Sequence, residues 1–204
     1  MSVVDDSRPA ARFAYPVFLD LHGVVVLVVG GGRIGARKAE GLATAGALVR
    51  LVATEVSAHV DTMQLHELRV RPFDDSDLDD VRLVVTATGD VDVDAAISAA
   101  ARARGIWTNA ADQPVDCEFI LPAIARRGRV TVAVSTDGAS PALARELRDV
   151  IDEFLTDGIG ELAETLAAER AAVQSRGEST EDIDWAARVR AGIADAVGGR
   201  SLTP

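Results

Sequence analysis

Apolar and polar positions change rhythm twice along the chain. Residues 24–29 form an unbroken aliphatic run, the pattern of a strand buried on both faces in a parallel sheet. Glycines follow at once, and residues 36–45 then read as a helix. Apolar runs at 48–53, 68–70, 83–88 and 106–108 predict four further strands, and the Ala-rich stretch 94–104 predicts a second helix. Strand and helix alternate up to residue 109, which predicts a doubly wound α/β sheet.

The alternation then stops. Residues 119–124 and 130–134 are apolar and are joined by Arg126-Arg127-Gly128-Arg129, which predicts a hairpin turning at Gly128. The loop 136–139 leads to Ser140-Pro141, an N-cap serine followed by a proline at the first helical position. Leu143, Leu147, Val150, Ile151 and Phe154 recur at helical spacing behind that start. Residues 157–160 are expected to break the helix. Leu162, Leu166 and Val173 mark a second helix. After a polar link at 175–180, Trp185, Val189, Ile193 and Val197 mark a third. Residues 1–12 carry too little apolar content to pack and are expected to form a flexible arm.

Composition removes several function classes. The 204 residues carry a formal net charge of −11, which argues against a general binder of nucleic acid or anionic membrane. One cysteine, Cys117, excludes an internal disulfide framework and a Cys-rich zinc site. The 3 histidines show no ligand-like spacing, so no metal ligands are assigned. No run is long and apolar enough for a membrane span, and the N-terminus lacks the apolar core of a secretion signal. A cytoplasmic protein is expected. Lys38 is the only lysine among 21 basic Lys and Arg residues. GC-rich coding or a salt-rich cytoplasm would each produce that bias.

The glycines after the first strand match GxGxxG through Gly30, Gly32 and Gly35. A strand before the motif and a helix after it give it meaning. Gly30 permits the tight turn, Gly32 leaves room for a pyrophosphate, and Gly35 lets helix and strand pack closely. The helix N-terminus offers unpaired N–H groups to the anion. The acid that binds the adenosine ribose is sought about 20 positions on. Glu55 lies in range just past the expected strand end, with Thr54 beside it as a second hydrogen-bonding group. No Arg follows directly to favour a 2′-phosphate, so NAD is preferred over NADP. Glu55 would serve equally as an acid at a helix N-terminus. Thr88 and Asp90 follow the fourth strand and would face the cofactor, or Asp90 would cap the next helix.

An ordered set of segments adds a resemblance. Tyr15-Pro16-Val17-Phe18-Leu19-Asp20-Leu21 precedes the first strand, and Arg37-Lys38 stands in the helix after the glycines. Asn109-Ala110-Ala111-Asp112, Phe119-Ile120-Leu121-Pro122-Ala123 and Ser135-Thr136-Asp137-Gly138-Ala139-Ser140-Pro141 follow in order. Together, over residues 13–155, they resemble the precorrin-2 dehydrogenases of sirohaem synthesis, whose members often also act as sirohydrochlorin ferrochelatases. No methyltransferase-like region follows, so the likeness is to the stand-alone form.

The resemblance implies a Rossmann-like NAD-binding domain over residues 13–113 and a dimerisation and substrate-cleft segment over 114–155. It further implies a helical C-terminal domain over 156–204, and a homodimer. It implies dehydrogenation of precorrin-2 to sirohydrochlorin with hydride passed to NAD, and ferrous iron as a substrate where chelation occurs. By the Asn-x-x-Asp match the catalytic carboxylate falls on Asp112, a residue type able to serve as a base. A loop-turn aspartate ahead of Pro114 is the plain alternative. Cofactor contacts fall on Arg33, Ile34, Thr54 and Glu55, with Asn109 beside them. Gly35 stands where many relatives carry Ala.

A polycarboxylate substrate needs local positive charge in an acidic chain. Arg126, Arg127, Arg129, Arg145 and Arg148 are available, as charge-assisted partners or as solvated charges. Ser135, Thr136, Ser140 and Arg145 are taken as substrate contacts. The competing reading is a non-catalytic NAD-sensing module of the potassium-transport type. Such modules share the strand, glycine loop and helix but lack the segments at 109–112 and 135–141.

Overall fold

The computed structural model describes residues 12–181 and 183–198. The chain divides into two compact units after Ile120. Residues 1–11 of the expected arm lie outside the described residues. Arg12, its last member, is held: its guanidinium donates to the carbonyls of Pro114 (2.7 Å), Val115 (3.1 Å) and Cys117 (2.8 Å).

The first unit is a five-stranded parallel sheet. Its strands are β1 (Val25–Gly31), β2 (Leu48–Val56), β3 (Glu67–Val70), β4 (Leu83–Thr86) and β5 (Trp107–Ala110), in the order β3-β2-β1-β4-β5. Helix α1 (Arg33–Thr44) covers one face and α2 (Val91–Ala103) the other. The aliphatic run explains itself here. Val26 and Val28 face the α1 side, while Leu27 and Val29 face the α2 side. From Val26 to Val29 every side chain is buried, on one face or the other, so none is polar.

Strand β4 stops at Thr86, short of the expected residue 88, and two other bounds differ from expectation for a visible reason. Strand β2 runs on to Val56 and takes Thr54 and Glu55 into the strand, because Gly31 pairs with Val56 after a register shift in β1. The next element is a 3-10 turn at Thr62–Gln64, so Glu55 heads no helix. Helix α2 starts at Val91, not residue 94, because Asp90 caps it. Sequence placed a domain change after residue 113; the compact unit observed here runs to Ile120. Thr108 ties that segment down: its Oγ1 donates to Asp116 O (2.9 Å) and its carbonyl accepts from Glu118 N (2.8 Å). Phe119 packs against the α1-side core.

The far edge of the sheet is held by ion pairs. Asp77 is fully buried and accepts from Arg69 (2.5 Å), from both amino groups of Arg71 (2.6 and 2.8 Å) and from Asp74 N (2.8 Å). Burial alone would raise its pKa, but the bonds from Arg71, Asp74 N and Arg69 outweigh it and hold the carboxyl at about 2.

The second unit contains an antiparallel hairpin, β6 (Ala123–Arg127) and β7 (Val130–Val134), and helices α3 (Pro141–Phe154), α4 (Asp157–Ser175) and α5 (Trp185–Val197). The expected strand at 119–124 is displaced: β6 starts at Ala123 and keeps Arg126 and Arg127 within it. Gly128, at φ +54°, makes the turn as expected. Residues 157–160 do not end a helix; they form the first turn of α4. Their glycines serve close packing instead. A Cβ on Gly158 would meet Ala196 Cα at 3.2 Å, and one on Gly160 would meet the Arg127 backbone at 3.4 Å. Ala125, Leu155, Ile159 and Val197 form the buried core of this unit. Among the described residues no helix is long and apolar enough to cross a membrane.

Candidate active site

The sheet order reverses between β1 and β4, and the carboxyl edge at such a point is where α/β sheets take ligands. The glycines there divide the work by geometry. Gly30 has φ +120°, and a Cβ on it would overlap the carbonyl oxygen of Ala87 in the β4–α2 turn. A Cβ on Gly35 would overlap the carbonyl oxygen of Gly30, so helix and strand touch. Gly32 is different: nothing lies within 4 Å of the position its Cβ would take. Gly31, which the motif leaves unassigned, is needed as well. A Cβ there would overlap the carbonyl oxygen of Glu55. The signal was in the third consecutive glycine, but its cause is a neighbouring strand and lies outside the local sequence.

Gly32 is the N-cap of α1, has no side chain to cap with, and no acid stands in the first turn. The N–H groups of Arg33, Ile34 and Gly35 therefore have no acceptor within the helix. An anion placed over Gly32 meets them and the positive end of the helix. The Arg33 and Ile34 side chains are exposed at this rim. Thr54 and Glu55 are exposed near the end of β2, the neighbouring strand. The open space, the free N–H groups and the acid on β2 fit a dinucleotide.

Thr88 and Asp90 are engaged within the protein. Asp90 accepts from Asp92 N (3.0 Å) and Val93 N (3.1 Å), the capping role that sequence left open. Thr88 Oγ1 donates to the buried Asp94 (2.8 Å) and accepts from Asp90 N (3.1 Å).

Asp112 stands on the loop that leaves β5, at the same edge. Its φ is +60°, a left-handed conformation that aspartate adopts more readily than most residues and that Asp80 and Asp137 share. Its side chain is exposed and has no hydrogen-bond partner among the described residues. The loop below it is firmly held. Ala111 N donates to Thr86 O (2.9 Å), and Asn109 Nδ2 donates to Phe119 O (2.9 Å). Asn109 Oδ1 accepts from Lys38 Nζ of α1 at 2.9 Å. Burial lowers the Lys38 pKa and Arg37 adds to the effect, while Cys117 and Asp112 oppose it. Burial likewise pushes the Cys117 thiol up. Neither Lys38 nor Arg12 was singled out from sequence as a support of this loop, because both reach it from more than seventy residues away.

Ser135, Thr136 and Ser140 come together in the second unit. Thr136 Oγ1 bonds the backbone of Ser140 (3.0 and 3.1 Å), Ser135 Oγ accepts from Asp137 N (3.1 Å), and Ser140 Oγ caps α3 through Leu143 N (3.2 Å). Of the arginines considered, Arg127 pairs with Asp152 (2.9 Å), Arg129 with Glu164 (2.9 Å) and Arg148 with Asp149 (2.6 Å). Arg126 donates to Thr131 Oγ1 (3.2 Å). Arg145 alone of this set is exposed with no polar partner among the described residues. No group of three His, Cys, Asp or Glu side chains able to hold a metal occurs among the described residues.

Comparison with known proteins gives the same division. The family described as "Putative NAD(P)-binding" matches residues 17–123, and the family described as "Sirohaem biosynthesis protein central" matches residues 127–153. The chain is 44% identical over 151 residues to a siroheme synthase of Pseudomonas entomophila, covering 72% of this chain and 33% of that protein. It is 43% identical over 155 residues to a siroheme synthase of Methylococcus capsulatus, covering 74% of this chain and 33% of that protein. The chain thus spans about a third of the length of these relatives. A solved structure of SirC, a precorrin-2 dehydrogenase, superposes with TM-score 0.65 at 31% identity, covering 82% of this chain and 84% of that one. The chain belongs to the NAD(P)-binding precorrin-2 dehydrogenase family of sirohaem biosynthesis.

Proposed function

We propose that the protein catalyses the NAD-dependent dehydrogenation of precorrin-2 to sirohydrochlorin. The observation that carries this reading is Asp112: an exposed carboxylate with no hydrogen-bond partner among the described residues, in electrostatic reach of Lys38, at the sheet edge that also bears the open glycine cradle. Bound NAD supplies the hydride acceptor. The N–H groups of Arg33, Ile34 and Gly35 hold its pyrophosphate in the space beside Gly32. Thr54 and Glu55 take the ribose hydroxyls, and the Glu55 carboxylate repels the 2′-phosphate of NADP. Thr88 and Asp90 shape the β4–α2 turn facing the cofactor, and Asn109 holds the strand end beside it.

The reaction removes one hydride and one proton from the substrate. Asp112 accepts the proton and releases it to solvent, so precorrin-2 and NAD⁺ give sirohydrochlorin, NADH and H⁺. Arg145 is the group left to pair with a substrate carboxylate, and Ser135, Thr136 and Ser140 order the turn in front of its helix. Leu143, Leu147 and Val150 form an apolar stripe on α3, at 51%, 43% and 58% exposure. We assign that stripe to a homodimer contact, which light scattering would read as twice the chain mass.

Anaerobic incubation with precorrin-2 and either NAD or NADP, followed by absorbance, tests the reading. Sirohydrochlorin should form, faster with NAD. Bound NAD without turnover would refute it. Added ferrous iron reads chelation in the same cuvette, as conversion of sirohydrochlorin to sirohaem.

A further inference from the structure

Lys38 is the one lysine in a chain whose other basic residues are all arginine. A guanidinium is a planar fork suited to several acceptors, whereas an ammonium is compact and can place one donor on a single oxygen. Lys38 does the latter. Half-buried on α1, it donates to Asn109 Oδ1 at 2.9 Å. Asn109 is itself 5% exposed, and its Nδ2 donates to Phe119 O at 2.9 Å. The cation thus fixes which way the amide faces: oxygen toward Lys38, nitrogen toward the carbonyl.

The position of that bond matters more than its strength. Helix α1 begins at the open glycine cradle, and Asp112 stands three residues beyond Asn109, on the loop that leaves β5. Among the described residues Lys38 makes the one side-chain hydrogen bond from α1 to β5. Arg12 and Thr108 hold the returning limb of the loop through Pro114, Val115, Asp116 and Cys117. Lys38 instead links the end of β5, where the loop starts, to the helix at which the cofactor is proposed to bind.

We propose that Lys38 is a positioning residue of the dehydrogenation: through Asn109, its ammonium sets where Asp112 stands relative to a cofactor bound at the start of α1. This rests on the proposed function. Displacing a reacting group by about 1 Å costs on the order of a hundredfold in rate, and a positioning residue acts by preventing that.

The test uses the full chain with Lys38→Met, Lys38→Arg, Asn109→Ala and the Lys38→Met/Asn109→Ala double variant. The readouts are kcat with precorrin-2, the Kd for NAD and the Tm. Lys38→Met should lose roughly a hundredfold in kcat with the Kd for NAD changed less than about twofold. Lys38→Arg should remain at least about tenfold down despite its charge. The double variant should be no slower than the worse single variant, because both break one link. Unchanged kcat in Lys38→Met would overturn the proposal. So would losses that add in the double variant, or a kcat loss matched by loss of NAD binding and of Tm. If Lys38→Met does not fold, Lys38→Arg carries the same comparison. Wild-type protein that binds NAD but does not turn over would refute the proposed function itself, and the role of Lys38 with it.

Discussion

Two helices leave the carboxyl edge of one sheet from adjacent strands, and they begin in opposite ways. Helix α2 is closed: Asp90 caps it, and Asp92 and Asp94 add two acids to its first turn. Helix α1 is open: its N-cap is Gly32, no side chain caps it and no acid stands in its first turn. Every helix start needs acceptors for its free N–H groups. A start that the chain satisfies itself is structural, and a start left open at a topological switch point is ready for an anion. The same contrast separates two aspartates. Asp77 is buried and fully bonded to Arg69, Arg71 and Asp74 N; Asp112 is exposed and has no hydrogen-bond partner among the described residues.

Substitutions at four positions break or sharpen this contrast. Asp112→Asn keeps shape and removes the base, so kcat should fall by about two to four orders of magnitude with NAD affinity retained. Asp77→Ala leaves Arg69 with Glu67 and Arg71 with the Pro72 carbonyl, and loss of the charged hydrogen bonds should destabilise the fold by about 2 kcal/mol in urea unfolding without touching the chemistry. Its carboxyl, lowered from 3.8 to about 2, stabilises the fold fully only above the unfolded value. Wild type should therefore lose stability as pH falls from about 4 through about 2, and Asp77→Asn should lack that acid limb. Gly32→Asp makes α1 begin as α2 does, in space that is empty. It should weaken NAD binding by about tenfold or more by calorimetry, while leaving Tm equal or higher. Asp90→Ala is the mildest: a cap loss of about 1 kcal/mol in thermal unfolding, with NAD affinity nearly unchanged.

The legible parts of the sequence were those whose cause is local. The aliphatic run of β1 announced a strand covered on both sides, and Ser140-Pro141 announced the start of α3. Gly30, Gly32 and Gly35 were assigned separate roles from spacing, and the space around each fits its assignment. The misread parts had causes elsewhere in the chain. Gly158 and Gly160 looked like a break, but Ala196 and the backbone of Arg127 press on them. Phe119 looked like strand, but Asn109 and the sheet core claim it for the first unit. Lys38 stood out as a compositional oddity and as half of Arg37-Lys38, but not by its contact, because its partner lies 71 residues on. Asp112 was singled out by likeness to a family; its left-handed backbone and its lack of a hydrogen-bond partner among the described residues are features no single sequence displays.

The most direct measurement is a single turnover under anaerobic conditions, with enzyme in excess over precorrin-2 and NAD supplied. Wild type should form one NADH for each sirohydrochlorin, and Asp112→Asn, with NAD bound equally well, should form neither at a comparable rate. Equal product from Asp112→Asn, or sirohydrochlorin without NADH from wild type, would contradict the account.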